Sequence, residues 1–268
     1  MADMAATHAR ESILRIGTLN LLHFDECIDE RVQALSWELD AANIRVLLLQ
    51  EVTRHALESL RHGLAGWQIS AGPQLTGAGD LQAVATRDGE HVVLRSTPVD
   101  FPAIAPVVAT DHGIWASVHL AWGLGRESER VAEAVRISRW LEPLRGERPV
   151  FLGGDFNAEP SSRTMRFLTG LDNVDGADAA WTSAWSGREP FATTRTDGGW
   201  AEEQSRRVGI VRPYDMPDRT IDHLLVDGWR YGVNGAFTRT FRFADSTIPD
   251  GRGISDHYGV GADVLLLG

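Results

Sequence analysis

Lysine is absent, and all 26 basic residues among the 268 are arginines. Without it there is no P-loop lysine for a nucleotide phosphate, no Schiff-base chemistry and no lysine-activated serine nucleophile. A single cysteine, Cys27, excludes an intrachain disulfide and any zinc site built from several thiolates. Residues 1–11 mix Asp3, His8, Arg10 and Glu11 with small residues and hold no apolar run, so neither a signal peptide nor a membrane span is expected there. Together with the lone cysteine, this leads to the expectation of a cytoplasmic protein. Positive charge is also scarce: 37 acidic residues against 26 basic ones leave a net charge of -11. The chain therefore has no global pull toward nucleic acid, whose non-specific binding rests on Lys and Arg against phosphates. No Pro/Gly/Ser-rich linker or break in composition divides it. The expectation is a tail over 1–12 and a single domain over 13–268, long enough to bury a sizeable core.

What is present is a series of short apolar runs that end abruptly in polar residues. Residues 13–22 read as a buried strand with Asn20 near its end, and Val46 to Leu49 run straight into Gln50 and Glu51. Gly113 to Leu120 delivers His119. Val150-Phe151-Leu152 is followed by Gly153-Gly154-Asp155-Phe156-Asn157, where the two glycines are expected to turn the backbone and expose Asp155 and Asn157 at a strand's C-terminal edge. Ile221 to Val226 carries Asp222, and Ser255-Asp256-His257 precedes a terminal strand over 260–267. Between these runs, helical spacing is read over 29–42, from Thr53 with Ala56, Leu57 and Leu60, over 127–144, and around 163–168. Residues 81–86 and 91–99 are expected to pair as a hairpin about Asp88-Gly89. Residues 172–219, with Trp181, Trp185 and Trp200 among many polar residues, are the least regular stretch. The tryptophans are expected to anchor this excursion rather than stack on a ligand.

Asn20, Glu51, His119, Asp155, Asn157, Asp222, Asp256 and His257 thus sit at strand ends or in apolar company. Converging carboxylates repel one another unless a cation is present, so the set implies a metal. Its oxygen-rich character favours Mg²⁺ or Mn²⁺ over a structural zinc, with Glu51 as a ligand. The amides and imidazoles suit phosphate oxygens. Asp256 and His257, being neighbours on extended chain, face opposite ways. Asp222 is then the carboxylate expected to orient His257 and stabilise its imidazolium.

Thr18-Leu19-Asn20, Gln50-Glu51, His119-Leu120, Gly154-Asp155-Phe156-Asn157, Ile221-Asp222-His223 after Arg219, and Ser255-Asp256-His257 occur in an order that resembles the endonuclease/exonuclease/phosphatase superfamily. This is the fold of pancreatic deoxyribonuclease, neutral sphingomyelinases and inositol-polyphosphate 5-phosphatases, and the resemblance runs over nearly the whole chain. It implies a four-layer α/β sandwich, two mostly antiparallel sheets face to face with helices outside. It also implies Glu51 as metal ligand with Asn20 and Asp256 close by, Asp155 orienting or deprotonating the attacking water, and Asn157 on the phosphate. His257, oriented by Asp222, and His119 would stabilise the transition state or protonate the leaving oxygen. Two departures bear on substrate. The Gly-Asn step common in the family before the strand that here reads Leu81-Gln82-Ala83 is missing, and the tyrosine-containing motif of abasic-site endonucleases is not evident.

The function expected is hydrolysis of a phosphate mono- or diester of a small or headgroup-like molecule. A nuclease is the first alternative, with Arg188, Arg195, Arg206, Arg207, Arg212 and Arg219 as backbone contacts, although Glu189, Asp197, Glu202, Glu203, Asp215 and Asp218 are interleaved with them. A phosphate-binding module without catalysis is the second, but such modules usually lack a catalytic Asp or His and none is missing here.

Overall fold

The computed structural model describes residues 12–72, 80–87, 89–98, 100–101, 103–146, 148–200, 203, 218–228 and 235–266. Two six-stranded sheets carry the fold. The first is built from β1 (Ser12–Asn20), β2 (Val46–Val52), β3 (Trp67–Ala71), β4 (Leu81–Arg87), β11 (Gly235–Phe243) and β12 (Gly259–Leu266), in the order β11-β12-β1-β2-β4-β3. The second holds β5 (Val92–Arg95), β6 (Val107–Thr110), β7 (Gly113–His119), β8 (Val150–Asp155), β9 (Trp181–Ser183) and β10 (Asp222–Asp227), in the order β5-β6-β7-β8-β10-β9. Each sheet has one parallel pair, β1 with β2 and β7 with β8, and its other pairs are antiparallel.

Each parallel pair is joined by a helix, as a parallel crossover requires. These are α1 (Ile28–Ala42) and α3 (Glu127–Leu141), with α2 (Arg54–Gly63) and α4 (Arg163–Leu168) beside them. Helix α2 starts where the Thr53 hydroxyl accepts from the Ala56 amide, and α4 where Ser162 does the same for Met165. Val32, Leu35 and Leu39 of α1 and Leu57 and Leu60 of α2 pack on the outer face of the first sheet, against Leu47 and Leu49. Ala134, Ile137 and Leu141 of α3 and Met165 and Phe167 of α4 cover the second, against Val150 and Leu152. A third cluster fills the space between the sheets with Leu14, Ile16, Val46, Leu48, Trp115, Phe151, Leu224 and Val226. The result is a four-layer α/β sandwich. No helix among the described residues is long and apolar enough to cross a membrane.

Two local expectations fail. The stretches 81–86 and 91–99 are not a hairpin: β4 is paired on both edges, with β2 and β3, whereas β5 pairs with β6 in the other sheet. The chain between them crosses from sheet to sheet, and Asp88 lies outside the described residues. Nor do Gly153 and Gly154 turn the backbone. They continue β8 to Asp155, and a Cβ at Gly154 would meet the Val118 carbonyl oxygen at 1.9 Å, so glycine lets β7 and β8 close up. The three tryptophans of the 172–219 excursion are anchors as expected, at 3%, 6% and 1% exposure for Trp181, Trp185 and Trp200.

Candidate active site

Strand alternation builds the site. Ile16 on β1, Leu48 on β2, Trp115 on β7, Phe151 on β8 and Leu224 on β10 all face the other sheet. Every second residue from these shares that face. Toward the C-terminal ends of β1, β2, β7 and β8 and the start of β10, the series becomes polar. A buried tier of Thr18, Gln50 and Ser117 joins the sheets, with Gln50 Nε2 donating to Ser117 Oγ at 2.7 Å and to Thr18 Oγ1 at 3.1 Å. One step further along the same faces stand Asn20, His119, Asp155 and Asp222, with Asp155 in register with both His119 and Asp222.

These groups converge on Asp155, which is 2% exposed. Its Oδ2 accepts from Asn20 Nδ2 at 3.0 Å and lies 3.7 Å from His119 Nε2 and 4.0 Å from His257 Nε2. Its Oδ1 accepts from the Asn157 amide nitrogen at 2.7 Å. Burial and the charge of Asp222 raise the Asp155 pKa. His257 Nδ1 meets Asp222 Oδ2 at 2.8 Å, both side chains being buried. Burial alone would lower the His257 pKa, but the charge and hydrogen bond of Asp222 hold it well above 6.5.

Glu51 breaks the alternation. As the neighbour of Gln50 it would face the helices, but a bulge between Leu49 and Val52 and a φ of 54° at Glu51 swing its carboxylate toward the cleft. There Oε1 accepts from Asn20 Nδ2 at 2.9 Å and stands 3.7 Å from His119 Nε2. His23, which the sequence reading passed over, binds the other oxygen: its ring Nδ1 is 2.5 Å and its backbone nitrogen 3.1 Å from Oε2. Burial works against ionisation of Glu51, yet His23, His119 and Asn20 hold its carboxyl well below the usual range. The His23 pKa is raised by the same bond, against the effect of burial. The only sequence signal for His23 is its place three residues after Asn20.

The remaining predicted residues frame this centre. Asn157, at φ 50°, donates through Nδ2 to the Leu120 carbonyl at 3.1 Å. Asp256 sits on the loop before β12, where its charge helps to raise both His23 and His257. Ser255 Oγ donates to the Asn20 carbonyl at 2.7 Å, joining that loop to β1. A fully buried Arg31, its pKa pushed down to about 10 by burial, donates to the Ile254 and Phe24 carbonyls at 2.6 Å each. It thereby ties together the loops carrying Asp256 and His23. His223, on the opposite face of β10, reaches the Ala158 carbonyl at 2.8 Å and is kept neutral by burial, with a pKa of about 4.

Among the described residues, Glu51, His119 and Asp155 place a ligand atom each within 4.8 Å of one another, as do Asp155, Asp222 and His257. Carboxylates gathered this closely, one of them with a raised pKa, form a donor set that fits a divalent cation. Asn20 borders the first group, its Nδ2 donating to Glu51 and Asp155.

The model of the Endonuclease/Exonuclease/phosphatase family matches residues 17–257. The chain belongs to that family. Its members are metal-dependent hydrolases of phosphoric ester bonds. Among solved structures, the fold is similar to that of TDP2 from D. rerio complexed with single-strand DNA product, with a TM-score of 0.70 at 17% identity over 94% of this chain and 99% of that one. An endonuclease/exonuclease/phosphatase from Bacteroides vulgatus gives a TM-score of 0.70 at 17% identity over 95% and 99%. Truncated TDP2 from Caenorhabditis elegans gives 0.65 at 14% over 95% and 98%. At these identities the likeness is one of fold. No curated protein matches the chain by sequence.

Proposed function

We propose that the chain hydrolyses a phosphate mono- or diester of a small or headgroup-like molecule by in-line attack of water. One observation carries the reading: a single oxygen, Asp155 Oδ2, has Asn20, His119 and His257 all within 4.0 Å. Glu51, with Asn20 and Asp256 beside it, would hold Mg²⁺ or Mn²⁺, which when bound supplies positive charge to a phosphoryl oxygen. Asp155, its pKa raised by burial and by the charge of Asp222, takes the attacking water's proton. His257, kept protonated by Asp222, and His119 face the charge that develops on the phosphoryl group and the leaving oxygen. Asn157 holds a phosphate oxygen. Preorganised donors in a partly buried cleft are worth more than the same donors in water, so positioning and electrostatics carry most of the rate.

A nuclease is the second reading, favoured by the DNA product bound to the D. rerio relative. Against it, the described arginines of the long excursion are already engaged. Arg195 donates to the Ala244 and Ser246 carbonyls, Arg219 to Glu159, and Arg188 to the Phe237 carbonyl. Arg206, Arg207 and Arg212 lie outside the described residues. The deciding assay is hydrolysis of p-nitrophenyl phosphate, bis(p-nitrophenyl) phosphate and supercoiled plasmid with Mg²⁺, Mn²⁺ or EDTA, for wild type and Asp155→Ala. Turnover of a dye ester, abolished by EDTA and cut roughly 10³-fold or more by the substitution, is expected. Plasmid nicking with strong salt sensitivity and idle dye esters would put the nuclease first. No turnover of any of them would sink the hydrolase reading.

A further inference from the structure

The bulge that aims Glu51 has a partner side. Val52 is in register with Leu81 and Leu49 with Ala83, so Gln82 of β4 alone stands opposite Gln50 and Glu51. Leu81 and Ala83 belong to the core under the helices and Val84 to the core between the sheets. By alternation, Gln82 faces between the sheets, on the side of Asn20 and Asp155. Asp80 precedes it by two residues, at the end of β4 that adjoins the site, and its charge helps to raise the pKa of His23. Thr97 joins them through Gly72: its hydroxyl packs 2.8 Å from where a Cβ of Gly72 would stand, and the Gly72 amide donates to the Gln82 carbonyl.

All three side chains are buried, at 6%, 2% and 7% exposure for Asp80, Gln82 and Thr97. Among the described residues, all three also hold an oxygen that is enclosed and unpartnered, namely Asp80 Oδ1, Gln82 Oε1 and Thr97 Oγ1. Burying a carboxylate or amide without a hydrogen bond is costly, and such groups in native proteins are few, so three together call for a partner that satisfies them. A carboxylate oxygen only accepts, so what satisfies this corner must donate.

We propose that Asp80, Gln82 and Thr97 form a subsite beside Glu51 that binds hydrogen-bond donors, hydroxyl or amino groups, on the alcohol portion of the phosphate ester and so selects the substrate. The inference rests on the phosphoesterase reading and deepens it. A site built to satisfy donors discriminates strongly against analogues that lack them, because its buried acceptors are then left unpaired.

The test uses the full chain with Mg²⁺ and matched esters: ethyl, glyceryl and 2-aminoethyl phosphates, and the corresponding p-nitrophenyl diesters. Wild type is expected to favour the glyceryl or the aminoethyl member over the ethyl one by about 10-fold or more in kcat/KM, the scale of a buried hydrogen bond. Which of the two leads identifies the donor as hydroxyl or amine. That preference should collapse toward unity in Gln82→Leu and in Asp80→Asn. Gln82→Leu should also melt at the wild-type temperature or higher, since it replaces a buried unpaired amide with an apolar group of similar size. Wild type that turns over the esters without preference, or variants that keep the preference, would overturn the subsite and leave the phosphoesterase reading standing. A clear drop in Tm for Gln82→Leu would show the amide bonded within the protein and overturn it as well. Wild type inactive on every ester removes the phosphoesterase reading and the subsite with it.

Discussion

Among the described residues, the Asp222 carboxylate has one bonding partner. Oδ2 takes His257 Nδ1, while Oδ1 is buried without a partner and the Asp222 backbone nitrogen is held by Thr193 Oγ1 at 3.2 Å. Its hydrogen bond and charge keep His257 protonated, and the same charge raises the Asp155 pKa. Because the folded pKa of His257 lies above 6.5, the pair's stabilisation is complete below about 6.5 and is lost as pH rises through the folded value. Asp222→Asn should lower kcat by about 10²- to 10⁴-fold and move the alkaline limb of the kcat profile to lower pH. A limb that stays in place would mean that His257 is not the group that titrates. At this scale much of the site was legible, because Asn20, His119, Asp155 and Asp222 follow directly from alternation at the ends of apolar runs. Glu51 was legible as a residue but not as a direction, since the bulge and left-handed backbone that aim it have no local sequence signature. His23 reaches the site only through Glu51, so nothing in its own surroundings pointed to it.

At the scale of the element, β8 shows how closely strand packing and site geometry are tied. The Gly154 Cα faces the Val118 backbone, so Gly154→Ala forces β7 and β8 apart at the pair that aligns His119 with Asp155. We expect a loss of more than about 4 kcal/mol, read as unfolding at low urea or failure to fold. Gly153→Ala meets mainly the side-chain ends Leu224 Cδ2 and Leu48 Cδ1, which can shift, and should cost about 1–3 kcal/mol. Equal losses in the two would contradict the argument. Strands β1, β2, β7, β8, β10 and β12 were readable because each is an apolar run buried on two faces. The edge strand β11 escaped notice, as its Phe237, Phe241 and Phe243 are separated by exposed Thr and Arg and interrupted by a bulge after Phe237. The 81–99 hairpin was inferred from turn chemistry around Asp88-Gly89. Local turn preference says nothing about which sheet the next strand joins, and with both edges of β4 occupied β5 had to go elsewhere.

For the whole molecule, the decisive fact is that neither sheet owns the site. Asn20 and Glu51 come from the first sheet, His119, Asp155 and Asp222 from the second, and Asp256 and His257 from the loop before β12. A cation at this site, held by Glu51 with Asn20 and Asp256 beside it, would bind only when the elements that meet there are assembled, so its binding energy adds to folding stability. At 100-fold excess over its Kd it should contribute about 2.7 kcal/mol. For a protein of this size that is a rise in Tm of roughly 5–10 °C. Calorimetry of the EDTA-treated protein against Mg²⁺ measures this directly. In Glu51→Gln the neutral amide no longer offers a carboxylate, and the Mg²⁺-dependent rise should shrink to a small fraction of the wild-type value. If the substituted protein showed the same rise, the cation would be held somewhere other than this site, and Glu51 would have no part in binding it.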